Sequence, residues 1–430
     1  MRVLVIGSGA REHAIVARLL ADPGVSAVRC APGNPGIAAL VPTMALDMAD
    51  AGATLDLARH HHIDLTVVGP EAPLSSGLAD RFAAAGRPIV GPSAAAARLE
   101  SSKAFAKAFM ARHLVPTARF RTCETLDDAR ATLASGELGF PVVLKADGLA
   151  AGKGVVIAAD GVSADRAAVA AMQERRFGEA GARLVIEECL NGPEASFFVL
   201  TDGIRAIVLG TAQDYKRAFD DDRGPNTGGM GALAPNLRID AALGARVLQE
   251  IVTPVIGGMA AEGSPYRGFL YVGLMLTAQG PKVIEFNARL GDPETQVILP
   301  LIAEPLAPLL ASAAAGALTQ RAVRMAPDRA VCVVLASQGY PESVHTGRPI
   351  HGVEAAEAVE RVAVYHAGTA IRDGVLVTSG GRVLSVVGRG RDFVEAAARA
   401  YAGAGRISFE GMQYRRDIGR QAFGFDAGAP

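Results

Sequence analysis

Short apolar bursts, each closed by glycine or proline, pattern the first hundred residues. Arg2 to Ile6, Ala27–Ala31, Leu65–Gly69 and Pro88–Gly91 read as buried strands running into Gly/Pro-rich loops. A helix is expected from about Ala14 to Ala21. Strands alternating with helices predict a parallel sheet, with ligands at the carboxyl ends of the strands. Further on, strands are expected at Val142–Ala146, Val155–Ala158, Arg183–Leu190, Phe197–Thr201 and Gly268–Leu276. After about residue 326 the pattern turns strand-rich, at Ala330–Ala336, Arg361–Tyr365, Gly374–Thr378 and Arg382–Val387, before a helix from Phe393 to Ala402. The expected division is an N-terminal α/β domain over 1–103, a core over 104–325 with a lobe at about 120–192, and a small α+β domain over 326–430. The turns 366–369 and 380–382 would border the cleft, and the tail after Gly419 reads as loose.

The most informative stretch is Lys282–Thr295. Apolar Ile284, Phe286 and Ala288 alternate with Glu285, Asn287 and Arg289. On a strand, alternate side chains share a face, so one face packs and the other presents a carboxylate, an amide and a guanidinium in a row. A carboxylate plus an amide oxygen suits a hard cation such as Mg²⁺, and an arginine clamps phosphate or carboxylate. A half-exposed strand with a solvated polar face would show the same alternation.

Three further segments carry chemistry. Gly7-Ser8-Gly9-Ala10-Arg11-Glu12 joins a strand to a helix, where an anion can sit on free N–H groups. The third glycine of a dinucleotide fingerprint would fall on Glu12, which disfavours that reading. Lys145 ends a strand, and Gly148 to Gly154, with Lys153, resembles a phosphate-binding loop that is one residue short and lacks the Ser or Thr. A glycine-rich hairpin of this kind could fold over phosphates as a flap, and a plain flexible turn would look the same. Asp220–Ala232, containing Gly224-Pro225-Asn226-Thr227-Gly228-Gly229, reads as an active-site loop, with a surface linker as the alternative. The His60–His62 run reads as an exposed helix end.

Composition narrows the classes. The net charge of −1 over 430 residues gives no electrostatic case for nucleic acid or an anionic membrane. The four scattered cysteines form no CxxC, which fits a reducing cytoplasm, and no apolar run reaches membrane-spanning length. Met1 leads straight into an apolar strand without signal-peptide architecture.

In order, the strings GSGAREHA, PGNPG, VVGPEAPL, VLKADGLAAGKGV, VIEECLNGPEASF, QDYKR, GPNTGGMGA, FLYVGLM, VIEFNARLGDPETQ, HAGT, GGRVLSVV and RRDIG resemble the phosphoribosylamine–glycine ligase family of the ATP-grasp superfamily, from Met1 to about Gly419. The resemblance implies an N-terminal parallel-sheet (pre-ATP-grasp) domain, a two-lobed ATP-grasp core and a C-terminal α+β domain. It implies ligation of glycine to 5-phosphoribosylamine at the expense of ATP, through a glycyl-phosphate, in purine biosynthesis. ATP would be held by Lys103, Lys145, Gly148, Gly152, Lys153, Gly154, Glu187, Glu188, Leu190 and Glu194. Glu285 and Asn287 match the Mg²⁺ or Mn²⁺ ligands. Lys153, Arg289 and Asp292 would serve catalysis. Substrates would meet Gly9, Arg11, Glu12, Asn34, Asp214, Lys216, Asn226, Thr227, Gly228, Gly229, Arg289, Pro293 and Thr295. The partners are small molecules, with no nucleic acid and no membrane, and the chain is expected to be a cytoplasmic monomer.

Three positions depart from the family pattern. Ala10 stands where Gly is common, and Tyr215 replaces a common His, so position 215 receives no proton-transfer role. The strand Tyr271–Met275 has no carboxylate, so a second cation would need oxygens from ATP, solvent or Asp292. Rival readings are another ATP-grasp carboxylate ligase or carboxylase, a nucleotide-binding protein without turnover, and a dinucleotide-dependent dehydrogenase.

Overall fold

The computed structural model describes residues 1–149, 154–320 and 322–423, so Gly152, Lys153 and the end of the tail lie outside the described residues. The first strands, β1 (Arg2–Gly7), β2 (Ala27–Pro32), β3 (Leu65–Val68) and β4 (Ile89–Val90), form a parallel sheet in the order β2-β1-β3-β4. The helix after β1 begins at Ala10, four residues ahead of the sequence expectation, because Gly9 is an extended N-cap and Glu12 closes a capping box. The His60–His62 run ends the helix Ala51–His60.

A separate lobe is built on β5 (Phe120–Cys123), β6 (Val142–Ala146), β7 (Val155–Ala158) and β8 (Leu184–Glu188), antiparallel in the order β5-β8-β6-β7. Its core is small, centred on Leu144, Ile186 and Ala164.

Next come β9 (Glu194–Asp202), β10 (Ala206–Asp214), β11 (Arg217–Phe219), β12 (Arg223–Asn226), β13 (Gly231–Ala234), β14 (Arg267–Thr277) and β15 (Gly280–Asn287). The expected long loop 220–232 is thus mostly a β11–β12 hairpin followed by the start of a buried strand. Its polar, glycine-rich composition hides the pairing of Arg217 with Asn226. The C-terminal strands are β16 (Arg329–Ala336), β17 (Val362–His366), β18 (Thr369–Arg372), β19 (Val375–Thr378) and β20 (Arg382–Gly390).

The last region does not merely pack on the core. β13 pairs with β16, so one sheet runs β15-β14-β9-β10-β13-β16-β20-β17. Both regions therefore share backbone hydrogen bonds, which ties their relative position to strand register.

Candidate active site

The site forms where the long sheet, the small lobe and the N-terminal domain meet. Ser196 of β9 pairs with Gly273 of β14, which pairs with Glu285 of β15. Tyr271 lies opposite Asn287. Period-two alternation puts these polar groups on one face. The pairing skips Ile284, because Gly273 matches Glu285 while Leu274 matches Val283. This bulge corrects the expected packed face: Val283 and Phe286 are buried, but Ile284 is not. Its carbonyl instead accepts a bond from Lys145 Nζ at 3.0 Å, joining the small lobe to β15.

Lys145 is buried, and its Nζ also lies 3.0 Å from Glu187 Oε1, while Lys107 Nζ lies 2.9 Å from Glu187 Oε2. Burial pushes the Lys107 ammonium down to about 8, against the attraction of Glu187. Glu188, one residue on, faces the other way toward Arg119 at 2.7 Å and Lys282 at 3.6 Å. Alternation thus separates two acids that look equivalent in sequence. Asp147 accepts from Ser102 Oγ and from the Ala104 N–H at the start of the helix Lys103–Arg112, and Lys103 Nζ donates to the Gly148 carbonyl at 3.2 Å. Leu190 follows β8 beyond its end at Glu188.

No hydrogen bond or ion pair joins the side chains of Glu285 or Asn287 to another described residue. Burial opposes charge on Glu285, but Lys216, Lys145, Lys103 and Arg289 outweigh it and hold the carboxyl below its usual range. Glycine at 273 keeps the adjacent space open, since a Cβ there would stand 3.3 Å from Glu285 Cγ. An ionised carboxylate and an amide, uncommitted and with room beside them, fit a divalent cation that shares its shell with phosphate oxygens.

A second cluster lies beside this one. Lys216 Nζ is 2.6 Å from Glu194 Oε2. Burial works against the Lys216 charge, but Glu194, Tyr271, Glu285 and Asp214 raise its pKa well above normal. Asp214 Oδ1 is buried without a partner, and burial, then Glu294, raises its carboxyl. Glu294, which sequence reading passed over, is buried and accepts from Ser196 Oγ at 3.1 Å. The turn Thr227–Gly229 is folded on itself, with Thr227 N–H and Oγ1 both donating to the Lys216 carbonyl. Asn226 ends β12. Gly229, at φ +108°, abuts Pro293 and Asp214 Oδ1. Asp292 Oδ1 accepts from Gln296, and Arg382 lies 3.5 Å from its Oδ2. Thr295 is fully buried and its hydroxyl donates to the Gly291 carbonyl, so it braces the turn. Tyr215 is also buried, with its Oη accepting from the Gly419 N–H.

The structure uses three other expected residues differently from an open substrate surface. Arg289 lies past the end of β15, and Glu71 at 3.2 Å and Glu100 at 3.0 Å hold its guanidinium. Glu12 is buried, and its Oε2 accepts the Gly9 N–H at 2.6 Å while Oε1 takes Arg11 Nε at 2.6 Å. The helix start therefore carries a built-in anion, the chain's own carboxylate. Asn34 caps the helix Pro35–Leu40 and donates to the carbonyls of Ser8 and His366. Glu71, Glu294 and Arg382 lie within family-like strings but received no role, and Glu100 and Tyr340 lie outside them; what each side chain meets is set by segments distant in sequence.

Comparison with known proteins adds to this geometry. Three family models match in succession: phosphoribosylglycinamide synthetase N domain over 1–100, its ATP-grasp (A) domain over 101–295 and its C domain over 330–421. A phosphoribosylamine–glycine ligase of Streptomyces coelicolor is 48% identical over 427 residues, covering 99% of this chain and 100% of the relative. The crystal structure of phosphoribosylamine–glycine ligase from Thermotoga maritima superimposes with a TM-score of 0.83 at 35% identity, covering 97% of this chain and 100% of that one. The biotin carboxylase domain of Hydrogenobacter thermophilus 2-oxoglutarate carboxylase, solved with MgADP and bicarbonate, shares the fold at a TM-score of 0.70 and 18% identity, over 96% and 91% of the chains.

Proposed function

The chain belongs to the phosphoribosylglycinamide synthetase family, and from that premise we propose that it ligates glycine to 5-phosphoribosylamine, giving glycinamide ribonucleotide, ADP and phosphate in purine biosynthesis. The observation that carries the reading is the uncommitted Glu285–Asn287 pair, open beside Gly273 and ringed by Lys103, Lys145 and Lys216. A carboxylate resists attack by an amine until one oxygen is made a leaving group. Phosphoryl transfer from ATP to the glycine carboxylate does this. The amine of phosphoribosylamine then attacks the acyl carbon, and phosphate departs with that oxygen while the amine loses a proton. The protein positions the reactants and neutralises charge.

Glu285 and Asn287 would hold Mg²⁺ or Mn²⁺, which neutralises the phosphate charge when bound. Lys145, Lys103 and the Gly148–Gly154 segment with Lys153 surround the nucleotide phosphates in this reading. Glu187 to Leu190 line the base and Glu194 meets the ribose, exchanging its Lys216 partner for a hydroxyl. Asp214 and the Asn226–Gly229 turn face the amino acid, with Asp292 and Pro293 alongside. Arg289 contributes positive charge from a fixed position. Gly9, Arg11, Glu12 and Asn34 shape the sugar-phosphate end, where Arg11 is the cation. The reading divides the chain at about 1–103, 104–325 and 326–430, the last two regions being joined through the β13–β16 pairing. No helix of the described residues is long and apolar enough to cross a membrane, and the free cysteines are mostly buried. The proposal takes the protein as a monomer of the cytoplasm.

The test is ADP release with ATP, Mg²⁺, glycine and phosphoribosylamine generated in situ, omitting each in turn. Release that needs both glycine and the amine establishes the ligase. Release supported by bicarbonate or another acid instead of glycine moves the chain to a sister activity.

A further inference from the structure

The peptide of Gly228 is spent entirely on side chains from the C-terminal region. Its N–H donates to Tyr340 Oη at 2.9 Å, and its carbonyl accepts from Arg382 Nη1 at 2.5 Å. The same Nη1 donates to the Asp292 carbonyl at 2.5 Å, and Nη2 lies 3.5 Å from Asp292 Oδ2. One guanidinium thus spans two segments that leave the sheet at different points, the turn after β12 and the turn after β15. Tyr340 packs against Gly381, the residue before Arg382, where a Cβ would collide with its ring. The two side chains therefore form one unit, carried by the region that the β13–β16 pairing joins to the core.

A Gly-Gly step has more backbone freedom than any other dipeptide, and Gly229 takes φ +108°. From within the turn it is held by one bond, its N–H donating to Thr227 Oγ1 at 3.0 Å, while the Gly228 peptide beside it has no local partner. Its placement matters because Gly229 abuts Pro293 and the buried, unpartnered Asp214 Oδ1. A loose turn would open that wall. A fixed one keeps Gly229 and Pro293 against the unpartnered Asp214 oxygen.

We propose that Tyr340 and Arg382 are positioning residues that clamp Gly228 to Asp292 and so fix the wall beside Asp214, on the side of the site that takes glycine. This rests on the ligase reading above. The clamp lies on the amino-acid side and touches neither Lys145 nor Glu285, so its loss acts on glycine rather than on ATP.

The experiment measures glycinamide ribonucleotide and ADP together in the unaltered chain, Tyr340→Phe, Arg382→Ala and Arg382→Lys, with thermal unfolding of each. The expected result is a rise in KM for glycine of about tenfold or more in Arg382→Ala and a smaller rise in Tyr340→Phe. ADP release should exceed product as acyl-phosphate is lost to water, the KM for ATP should stay within about twofold, and Arg382→Lys should recover part of the loss. An unchanged glycine KM in the folded variants, or an equal rise in the KM for ATP, overturns the proposal. If Arg382→Ala fails to fold, Tyr340→Phe decides alone. Absence of product from the unaltered chain instead overturns the ligase reading itself.

Discussion

Arg289 Nη2 stands 3.0 Å from Glu100 Oε1, and the second oxygen of Glu100 accepts the Ala288 N–H at 2.6 Å. One carboxylate thereby fixes both the side chain and the backbone at the point where β15 ends. The N-terminal region, through Glu71 and Glu100, sets the direction of an arginine that belongs to the core.

Replacing Glu100 with Gln removes the charge and keeps the shape. Breaking a buried pair costs about 3–5 kcal/mol, and Glu71 remains to hold Arg289, so a loss of about 3 kcal/mol is expected. Urea unfolding of Glu100→Gln measures it. A midpoint equal to that of the unaltered chain would show that the pair contributes nothing.

Glu285→Gln should cut ADP formation by about a hundredfold and raise the Mg²⁺ needed for half-maximal rate, because an amide binds a hard cation far less well than a carboxylate. A magnesium titration of turnover is the measurement. An unaltered magnesium requirement would remove Glu285 from the metal shell.

Gly273→Ala tests the space beside that carboxylate. The added methyl would meet Glu285 Cγ at 3.3 Å and Tyr271 Cε1 at 3.2 Å, tight contacts that the side chains can partly relieve. Stability should fall by no more than about 2 kcal/mol. The KM for Mg²⁺-ATP should rise by about tenfold, and a wild-type value in a folded variant would contradict the reading.

His13 and His366 are buried against each other, with the His366 N–H donating to His13 Nδ1 at 2.9 Å. Burial, then the neighbouring His366, lowers His13 to about 3, and burial lowers His366 to about 4. Both folded values lie below the ordinary 6.5, so the unfolded chain binds protons first as pH falls. Their contribution is present above pH 6.5 and is lost as pH drops toward 4 and then 3. The slope is at most about 1.4 kcal/mol per pH unit for each ring. Chemical unfolding at several pH values between 7 and 5 reads it, and His366→Gln should flatten the profile. Identical slopes in the two proteins would assign the acid sensitivity elsewhere.

Lys153→Ala should lower turnover severely while the fold survives, because the residue contributes charge at the phosphates. Steady-state ADP release checks this, and near-normal turnover would end any phosphate role for Lys153.

Much of the architecture was legible locally. Apolar bursts marked β1, β3, β6 and β14, since a strand buried on both faces needs no partner information to show itself. The helix after β1 began earlier than periodicity suggested, because its cap is Glu12 bonding back to Gly9, a contact between polar residues that hydrophobic spacing does not register. The bulge at Ile284 was hidden for a related reason. Alternation in the sequence assumes regular pairing, and only the partner strand reveals the skipped residue.

By itself the sequence determined which chemistry is present: a carboxylate and an amide two apart on a strand, lysines at strand ends, a glycine-rich turn, and the family to which those strings belong. Spacing along a chain decides the face on which a side chain lies. It does not decide what approaches that face. Only the tertiary structure committed Arg289 to Glu71 and Glu100, filled the first helix start with Glu12, joined β13 to β16, and set Arg382 across Gly228 and Asp292. Most of these contacts bridge distant segments, and a buried charge is satisfied by whichever partner the packing brings within reach.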